Sequence, residues 1–190
     1  MTAMGLGKHV YVEKPLAHTV WEAREMKKKA AEKKVITQMG NQGHSGEGIR
    51  QVTEWIAAGL IGKVREVHTW TNRPIWPQSL EMDRPTDVQK APEGMDWNQW
   101  CGPAAFRPYH PSYHPGKWRA WCDFGTGSLG DMGCHIMGPP FKLLNLGYPH
   151  EVSGSASTTY SGVFKESAFP ESGPISSSLK YRFTLANGKD

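Results

Sequence analysis

The 190-residue sequence has no apolar run that approaches the roughly 18 residues needed to span a bilayer. Its amino terminus also lacks the basic segment followed by an apolar stretch that marks a secretory signal. We therefore predict no membrane partner. Localisation stays open between the cytoplasm and, if a signal lies upstream of Met1, the periplasm.

Cysteine is scarce, with 3 residues in the chain, and no C-x-x-C pair occurs. Thiolate zinc sites favour that pairing, so the cysteines do not predict one. His110 and His114 have a metal-like spacing, but Pro111 and Pro115 exclude a regular helix around them. We therefore predict no bound metal.

The net charge of +4 is not accompanied by aromatic residues interleaved among the lysines. Much of it comes from lysines near the end of one predicted helix: Lys27, Lys28, Lys29, Lys33 and Lys34. Cations there complement the carbonyl end of the helix dipole, whereas a nucleic-acid groove would add stacking surfaces for bases. The cluster predicts a solvated helix face and no nucleic-acid partner.

The first forty residues have the pattern of a strand, a helix and a second strand. The chain as a whole has an apolar fraction of 38%, which is typical of a globular protein. Residues 10–12 are a short strand, and Thr19 with Glu22 has the spacing of a capping box that opens a helix to about Lys33. Residues 35–39 form the next buried strand. This order predicts a parallel crossover unit.

The rest of the chain alternates between periodic and irregular segments. Ser45 is positioned to cap a second amphipathic helix that ends before Gly59. Residues 64–70 alternate apolar and polar side chains, which predicts a half-buried antiparallel strand. Residues 73–118 are rich in Pro, Trp, Tyr and His and predict a long irregular segment on the substrate side.

A third helix is predicted from Ser128 to about Leu146, kinked or restarted by Pro139 and Pro140. Two strands follow, over residues 152–160 and 177–185. Asn187-Gly188 is a hairpin turn signal, and we take the missing return strand to indicate truncation.

Lys14 and the Asp131–His135 pair are the candidate chemical groups. Lys14 follows a strand and precedes Pro15, which favours extended backbone and lets the amine face a crevice. Its cationic donors can bind an oxygen on which charge develops. Asp131 and His135 share a helix face, so the aspartate can orient the imidazole while the imidazole exchanges a proton with a substrate hydroxyl.

Three ordered motifs carry a resemblance to a known family. Glu13-Lys14-Pro15 is followed by Met-Gly-Asn-Gln-Gly-His at 39–44 and Gly-Asp-Met-Gly-Cys-His at 130–135. With them the chain closely resembles the Gfo/Idh/MocA family of NAD(P)-dependent oxidoreductases over essentially its whole length. The resemblance starts in the middle of the family's first domain, so we expect a fragment that lacks the Gly-rich opening turn and is not competent alone.

The resemblance implies an α/β fold: the C-terminal part of a Rossmann-like parallel sheet domain, then an α+β substrate domain with a mostly antiparallel open sheet. We predict domains at 1–40 and 41–190. It also implies NAD or NADP as cofactor, a sugar or polyol substrate, and a homo-oligomer formed through the substrate-domain sheet when the protein is complete.

The resemblance assigns roles to the motif positions. It implies that Lys14, Asp131 and His135 are catalytic. It implies cofactor binding by one set of residues: Glu13, Lys14, Pro15, Asn41 and Gln42. Asn41, Gln42 and His44 also follow the carboxyl end of a strand, where ligands lie in open α/β sheets.

Aromatic faces and forked donors suited to a polyhydroxylated ring occur later in the chain. With His44, the predicted substrate-binding residues are Tyr109, His110, Trp118 and Arg119. Trp118-Arg119 is similar to the sugar-active branch of the family. Many members carry an acidic residue three positions after the histidine, where this chain has Gly138. Either another group such as Asp123 sets the charge of His135, or the chemistry has changed.

Residues 125–130 match G-x-G-x-x-G and open a helix. They are not expected to be the dinucleotide fingerprint, because residues 121–124 are not a buried strand. The predicted activity is hydride transfer from a sugar or polyol hydroxyl to NAD(P). The alternatives are an NAD-dependent glycosidase with an oxidation–elimination mechanism, which the resembled family also contains, and a non-catalytic sugar-binding remnant.

Overall fold

The computed structural model describes residues 1–73, 83–157, 159–160, 163–167 and 170–184. Contacts divide the chain into two compact units, each built from two segments. The first comprises Met1–Trp70 and Asp131–Asn145, and the second comprises Thr71–Gly130 and Leu146–Asp190.

The described part of the chain contains six α-helices and six β-strands. In chain order the helices are α1 (Thr2–Gly5), α2 (Val20–Lys33), α3 (Glu47–Ala57), α4 (Trp97–Cys101), α5 (Gly127–Ile136) and α6 (Gly138–Leu143). The strands are β1 (Val10–Glu13), β2 (Thr37–Gly40), β3 (Glu151–Ser157), β4 (Thr159–Tyr160), β5 (Glu166–Ser167) and β6 (Ser176–Arg182). A short 3-10 turn covers Lys117–Ala120. No described helix has the length and apolar character that a membrane crossing requires.

The predicted parallel crossover is confirmed in the first unit. Strands β1 and β2 pair in parallel, with Glu13 opposite Gly40 at their carboxyl ends. Helix α2 connects them and begins with the predicted capping box: Thr19 Oγ1 accepts from the Glu22 N–H at 3.1 Å, and Glu22 Oε2 accepts from the Thr19 N–H at 2.9 Å. The crossover brings the residues after both strands to one edge.

The interrupted third helix is also confirmed. Helix α5 ends at Ile136 and α6 begins at Gly138, so the break falls at Met137. Pro139 and Pro140 lie in the first turn of α6, where a missing backbone N–H breaks no hydrogen bond within α6 itself.

The predicted strand over residues 64–70 is wrong. Residues 64–70 form no strand, and no strand in the described part of the chain pairs with them. Val67 is 47% exposed and Trp70 is 81% exposed. Alternation gives a segment one apolar face, but a strand also needs a neighbour for its backbone hydrogen bonds.

The second unit has an aromatic core. Its buried members are Trp97, Cys101, Tyr113 and Trp121. Trp121 is fully buried and donates its indole N–H to the carbonyl of Ser112 at 2.8 Å, and Trp97 donates to the carbonyl of Arg107 at 2.6 Å. The two buried indoles therefore keep hydrogen-bond partners.

The described strands of the second unit form two separate antiparallel pairs, and antiparallel pairing was expected for the region that follows the parallel strands. Strand β3 pairs with β6 from Glu151 opposite Arg182 to Ser157 opposite Ser176, and β4 pairs with β5. Strands β3 and β4 cover the first predicted segment, β6 covers the second but ends at Arg182, and β5 was not predicted. The turn predicted at Asn187-Gly188 lies outside the described residues.

Candidate active site

Lys14 binds Asp131 within the first unit, although 117 positions separate them. Lys14 Nζ donates to Asp131 Oδ1 at 2.7 Å and to the Asp131 backbone carbonyl at 2.5 Å. The lysine side chain is 19% exposed and the aspartate side chain 5%. A carboxylate this deeply buried needs a cationic partner, and Lys14, directly after β1, supplies it.

His135 lies one helical turn beyond Asp131 on α5, half-buried. Its Nδ1 is 3.2 Å from the backbone carbonyl of Gln42. A carbonyl oxygen accepts only, so Nδ1 carries the hydrogen, and in the neutral ring Nε2 keeps the lone pair. The Gln42 carbonyl therefore selects the tautomer of the His135 ring. No sequence pattern marks a backbone carbonyl, so the sequence did not indicate this contact.

His44, two residues after Gln42, contacts the main chain of His135. Its Nε2 is 3.1 Å from the backbone carbonyl of His135, and the two imidazole rings are edge-on with centroids 6.5 Å apart. The loop after β2 thus accepts a hydrogen bond through Gln42 and donates one through His44.

Gly138 explains the departure from the resembled pattern three positions after the histidine. A Cβ built on Gly138 would overlap the His44 ring, so no side chain fits at this position while the ring is there. Gly138 does not have a positive φ, so the requirement for glycine is steric. The His44 imidazole occupies the space toward which a side chain at 138 would point.

The carboxyl ends of β1 and β2 are closely packed. A Cβ on Gly40 would lie 2.7 Å from the Tyr11 hydroxyl and 2.8 Å from a Glu13 carboxylate oxygen. The next residue, Asn41, has a side-chain oxygen that is buried and accepts no hydrogen bond from the described residues. A ligand with an N–H or O–H donor would satisfy it.

The predicted sugar-contacting residues of the second unit have internal partners there. Tyr109 packs edge-on against Trp97, with centroids 5.1 Å apart. His110 Nδ1 is 2.7 Å from the Ser112 hydroxyl. The Arg119 guanidinium lies 4.6 Å from the centroid of the Trp118 ring, as a cation–π pair.

Asp123, considered for setting the charge of His135, binds two arginines of its own unit. Arg107 donates to both carboxylate oxygens, at 2.5 and 2.8 Å, and Arg84 donates at 2.9 Å. Arg84 also pairs with Glu171. The hydrogen bonds from Arg107 hold the pKa of Asp123 below its usual value, although partial burial opposes that shift.

The G-x-G-x-x-G run has a packing explanation within the second unit. A Cβ on Gly125 would overlap the backbone of Arg119, and one on Gly130 would overlap the Thr126 side chain. Gly127 has a φ of 62°, the left-handed region that glycine adopts most readily. Before the run, Trp121 makes one isolated antiparallel bridge to Ser172 and belongs to no parallel strand.

Comparison with known protein families identifies the chain. The sequence model of the oxidoreductase family's C-terminal alpha/beta domain matches residues 46–158, and the model of the same family's NAD-binding Rossmann fold matches residues 1–41. The chain belongs to the Gfo/Idh/MocA oxidoreductase family. NAD(P) is accordingly the cofactor of the group, as the motifs implied. A search of proteins with curated functions gives no match.

A solved structure supports the fold. An NAD-binding oxidoreductase from Klebsiella pneumoniae superposes with a TM-score of 0.56 at 23% identity, covering 98% of this chain and 41% of that one. A second oxidoreductase structure from the same organism matches at 19% identity and a TM-score of 0.44, covering 99% of this chain and 41% of that one. This Gfo/Idh/MocA chain therefore spans about two-fifths of the length of these structures.

The residues at the carboxyl ends of β1 and β2 fit a nicotinamide cofactor. Asn41 offers a buried acceptor oxygen that a carboxamide N–H or a ribose hydroxyl would satisfy. Beside it, the space next to the Gly40 backbone is occupied by the Tyr11 hydroxyl and the Glu13 carboxylate. This edge of a parallel pair is where ligands bind in open α/β sheets.

Proposed function

We propose that this chain carries the catalytic groups of an NAD(P)-dependent oxidoreductase that oxidises a sugar or polyol hydroxyl. The observation that carries the proposal is the Lys14–Asp131 ion pair, one helical turn from an imidazole whose Nδ1 is hydrogen-bonded to Gln42. The pair and the ring supply a cation and a proton acceptor of defined orientation, which alcohol oxidation requires.

In this mechanism His135 Nε2 accepts the hydroxyl proton, because Nδ1 already carries a hydrogen directed at Gln42. Lys14 has three ammonium donors and gives two of its hydrogen bonds to Asp131. We assign its remaining donor to the substrate oxygen as that oxygen gains negative charge. The bound cofactor supplies the acceptor for the hydride that leaves the carbon.

The cofactor-contacting residues in the proposal are those at the edge of the parallel pair: Glu13, Lys14, Pro15, Asn41 and Gln42. Support comes from the buried Asn41 side-chain oxygen, which accepts no hydrogen bond from the described residues. For the substrate, we propose contacts from Tyr109, His110, Trp118 and Arg119. Trp118 and Arg119 are the favoured members, because a stacked indole and guanidinium present the faces and donors that bind hydroxylated rings.

The NAD-dependent glycosidase is the second candidate, because the same base and cation also suit oxidation followed by elimination. Substrate assays with an active full-length protein separate the two reactions. Net NADH formation from free sugars supports the oxidoreductase. Release of nitrophenol from a nitrophenyl glycoside without net NADH supports the glycosidase. If the protein binds sugar tightly but forms neither NADH nor nitrophenol, the result supports a non-catalytic sugar-binding remnant.

Binding of the cofactor to this chain alone is expected to be weak or undetectable. Pyrophosphate binding draws on a Gly-rich turn and the helix amides behind it, and the run at 125–130 is accounted for by packing. Isothermal titration calorimetry with NAD and with NADP tests this. Micromolar binding would contradict it and would make residues 125–130 a candidate phosphate loop.

A further inference from the structure

The backbone carbonyl of His135 lacks its ordinary helical partner. In a continuing α-helix that carbonyl would accept from the N–H of residue 139. Residue 139 is Pro139, which has no N–H. The main-chain carbonyl of His135, the residue proposed to accept the proton, therefore has no helical N–H donor.

His44 supplies the missing donor. Its Nε2 lies 3.1 Å from the His135 carbonyl, and because a carbonyl only accepts, this nitrogen carries the hydrogen. A histidine side chain can close the carbonyl end of a helix in this way. His44 and His135 are therefore held in opposite neutral tautomers, with hydrogen on Nε2 of His44 and on Nδ1 of His135.

The two hydrogen bonds form a closed connection between the loop after β2 and residue 135. The loop accepts from the His135 ring through Gln42 and donates to the His135 backbone through His44. Both the ring and the main chain of His135 are thereby hydrogen-bonded to residues 42–44 of that loop. Gly138 completes the arrangement, because any larger residue would displace the His44 ring.

We propose that His44 is a positioning residue for His135, and that Gly138 is the steric condition for it. This assignment replaces direct substrate contact as the main role of His44. It deepens the proposed function and rests on His135 being the proton-exchanging group. The bond to the His135 carbonyl holds the main chain at the register where Nδ1 meets Gln42, which leaves Nε2 as the base.

Nitrogen-15 NMR of the chain, labelled at histidine and studied above the pH at which imidazoles titrate, tests the proposal. Comparison with His135→Gln assigns the ring. We expect the unaltered chain to show His135 as the single Nδ1–H tautomer. His44→Ala should give shifts intermediate between the two tautomers, and His44→Gln, which keeps an N–H donor, should retain more of the Nδ1–H form. His68→Ala, an exposed histidine of the same unit, is the matched control and should change nothing.

Gly138→Ala provides a second, independent variant. Its methyl group should displace the His44 ring, lower the melting temperature by roughly 3–10 °C as overpacking does, and produce the same mixed tautomer of His135. In the His44→Ala background, Gly138→Ala should lower the melting temperature by less than half as much, since the overlapping ring is gone.

A pure Nδ1–H tautomer in both His44→Ala and Gly138→Ala would overturn the positioning role. Equal melting penalties for Gly138→Ala in the two backgrounds would overturn the steric pairing. The tautomer is read without substrate or cofactor, so this test is separate from the proposed activity. If the tautomer depends on His44 while His135→Ala leaves turnover unchanged, the positioning stands and the proton-exchange role of His135 fails.

Discussion

Asp131 in the first unit and Asp123 in the second are both bound by cations, but by cations of different kinds. Asp123 accepts two hydrogen bonds from the planar guanidinium of Arg107 and one from Arg84, which also binds Glu171. Asp131 is bound by the single ammonium of Lys14, which also donates to the Asp131 main chain. Guanidinium forks fix geometry in two directions, whereas an ammonium is a compact charge whose donors can turn toward another acceptor. The arginines around Asp123 are suited to holding the fold together. The Lys14–Asp131 pair is suited to a site where the ammonium must also bind a substrate oxygen.

The largest effect is expected at His135, beside the lysine pair. In a full-length enzyme that turns over with NAD(P), His135→Ala should lower turnover by roughly 10²–10⁴-fold, the usual loss on removing a general base. Cofactor affinity should change little, because the ring is proposed to face the substrate. Steady-state kinetics with cofactor titrations measure both. Normal turnover with lost cofactor binding would reverse the assigned roles.

The next largest effect is expected from exchanging the cation of the site. Lys14→Arg keeps the charge but replaces tetrahedral donors with a planar fork, so turnover should fall by roughly 10–10³-fold. The free energy of unfolding should change much less than the activation barrier. Parallel kinetics and urea unfolding compare the two quantities. A fully active Lys14→Arg enzyme would remove the distinction between the two cation types.

Asp123→Asn probes the scaffold pair and its dependence on pH. We expect this variant to lose roughly 1.5–3 kcal/mol of unfolding free energy near neutral pH, the range for hydrogen bonds to charged groups. Because Arg107 lowers the folded pKa of Asp123 below the unfolded value of about 3.9, the pair stabilises the fold fully above roughly pH 5.

That stabilisation should be lost as the pH falls through the unfolded pKa and then the folded one. The stability difference between the unaltered chain and Asp123→Asn should therefore shrink toward acid. Urea unfolding at several pH values follows it, with Glu93→Gln, an exposed carboxylate of the same unit, as the control. A constant difference at all pH values would mean that ionisation of Asp123 contributes nothing.

The smallest effect is expected from the reciprocal exchange, Arg107→Lys. The ammonium cannot reproduce both bonds of the fork, so the free energy of unfolding should drop by about 1 kcal/mol. Turnover of the full-length enzyme should stay within about twofold, far below the loss for Lys14→Arg. A loss of activity larger than the loss of stability would place Arg107 among the functional groups.

Several local signals in the sequence predicted local structure, but the cap predicted at Ser45 is wrong, because α3 begins after Gly46 with no side-chain cap. The Thr19–Glu22 capping box, the parallel strands and the interruption before Pro139 and Pro140 each follow from neighbouring residues. Residues 64–70 show the limit of such signals: their alternation is real, but pairing depends on a partner strand elsewhere in the chain. A pattern reports a preference of one segment and not the presence of its neighbour.

The site was less accessible to prediction than the fold. The order of the motifs pointed to Lys14, Asp131 and His135, although 117 residues separate the first two. The hydrogen bond between His135 and Gln42 involves a main-chain carbonyl, which every residue possesses, so no letter of the sequence indicates it. Pro139 did carry a signal for His44: a proline four residues after a helical position removes that carbonyl's donor and requires another.

The close approach of Gly138 to the His44 ring also limits the order in which these two positions can diverge. A lineage that first gained a side chain at 138 would pass through an ancestor with overlapping atoms. One that first lost His44 would pass through an ancestor with an unfilled space and an unpaired carbonyl. Either first step carries a cost that the second step relieves. Relatives should therefore fall into two groups, histidine with glycine or neither, and intermediates between them should be rare.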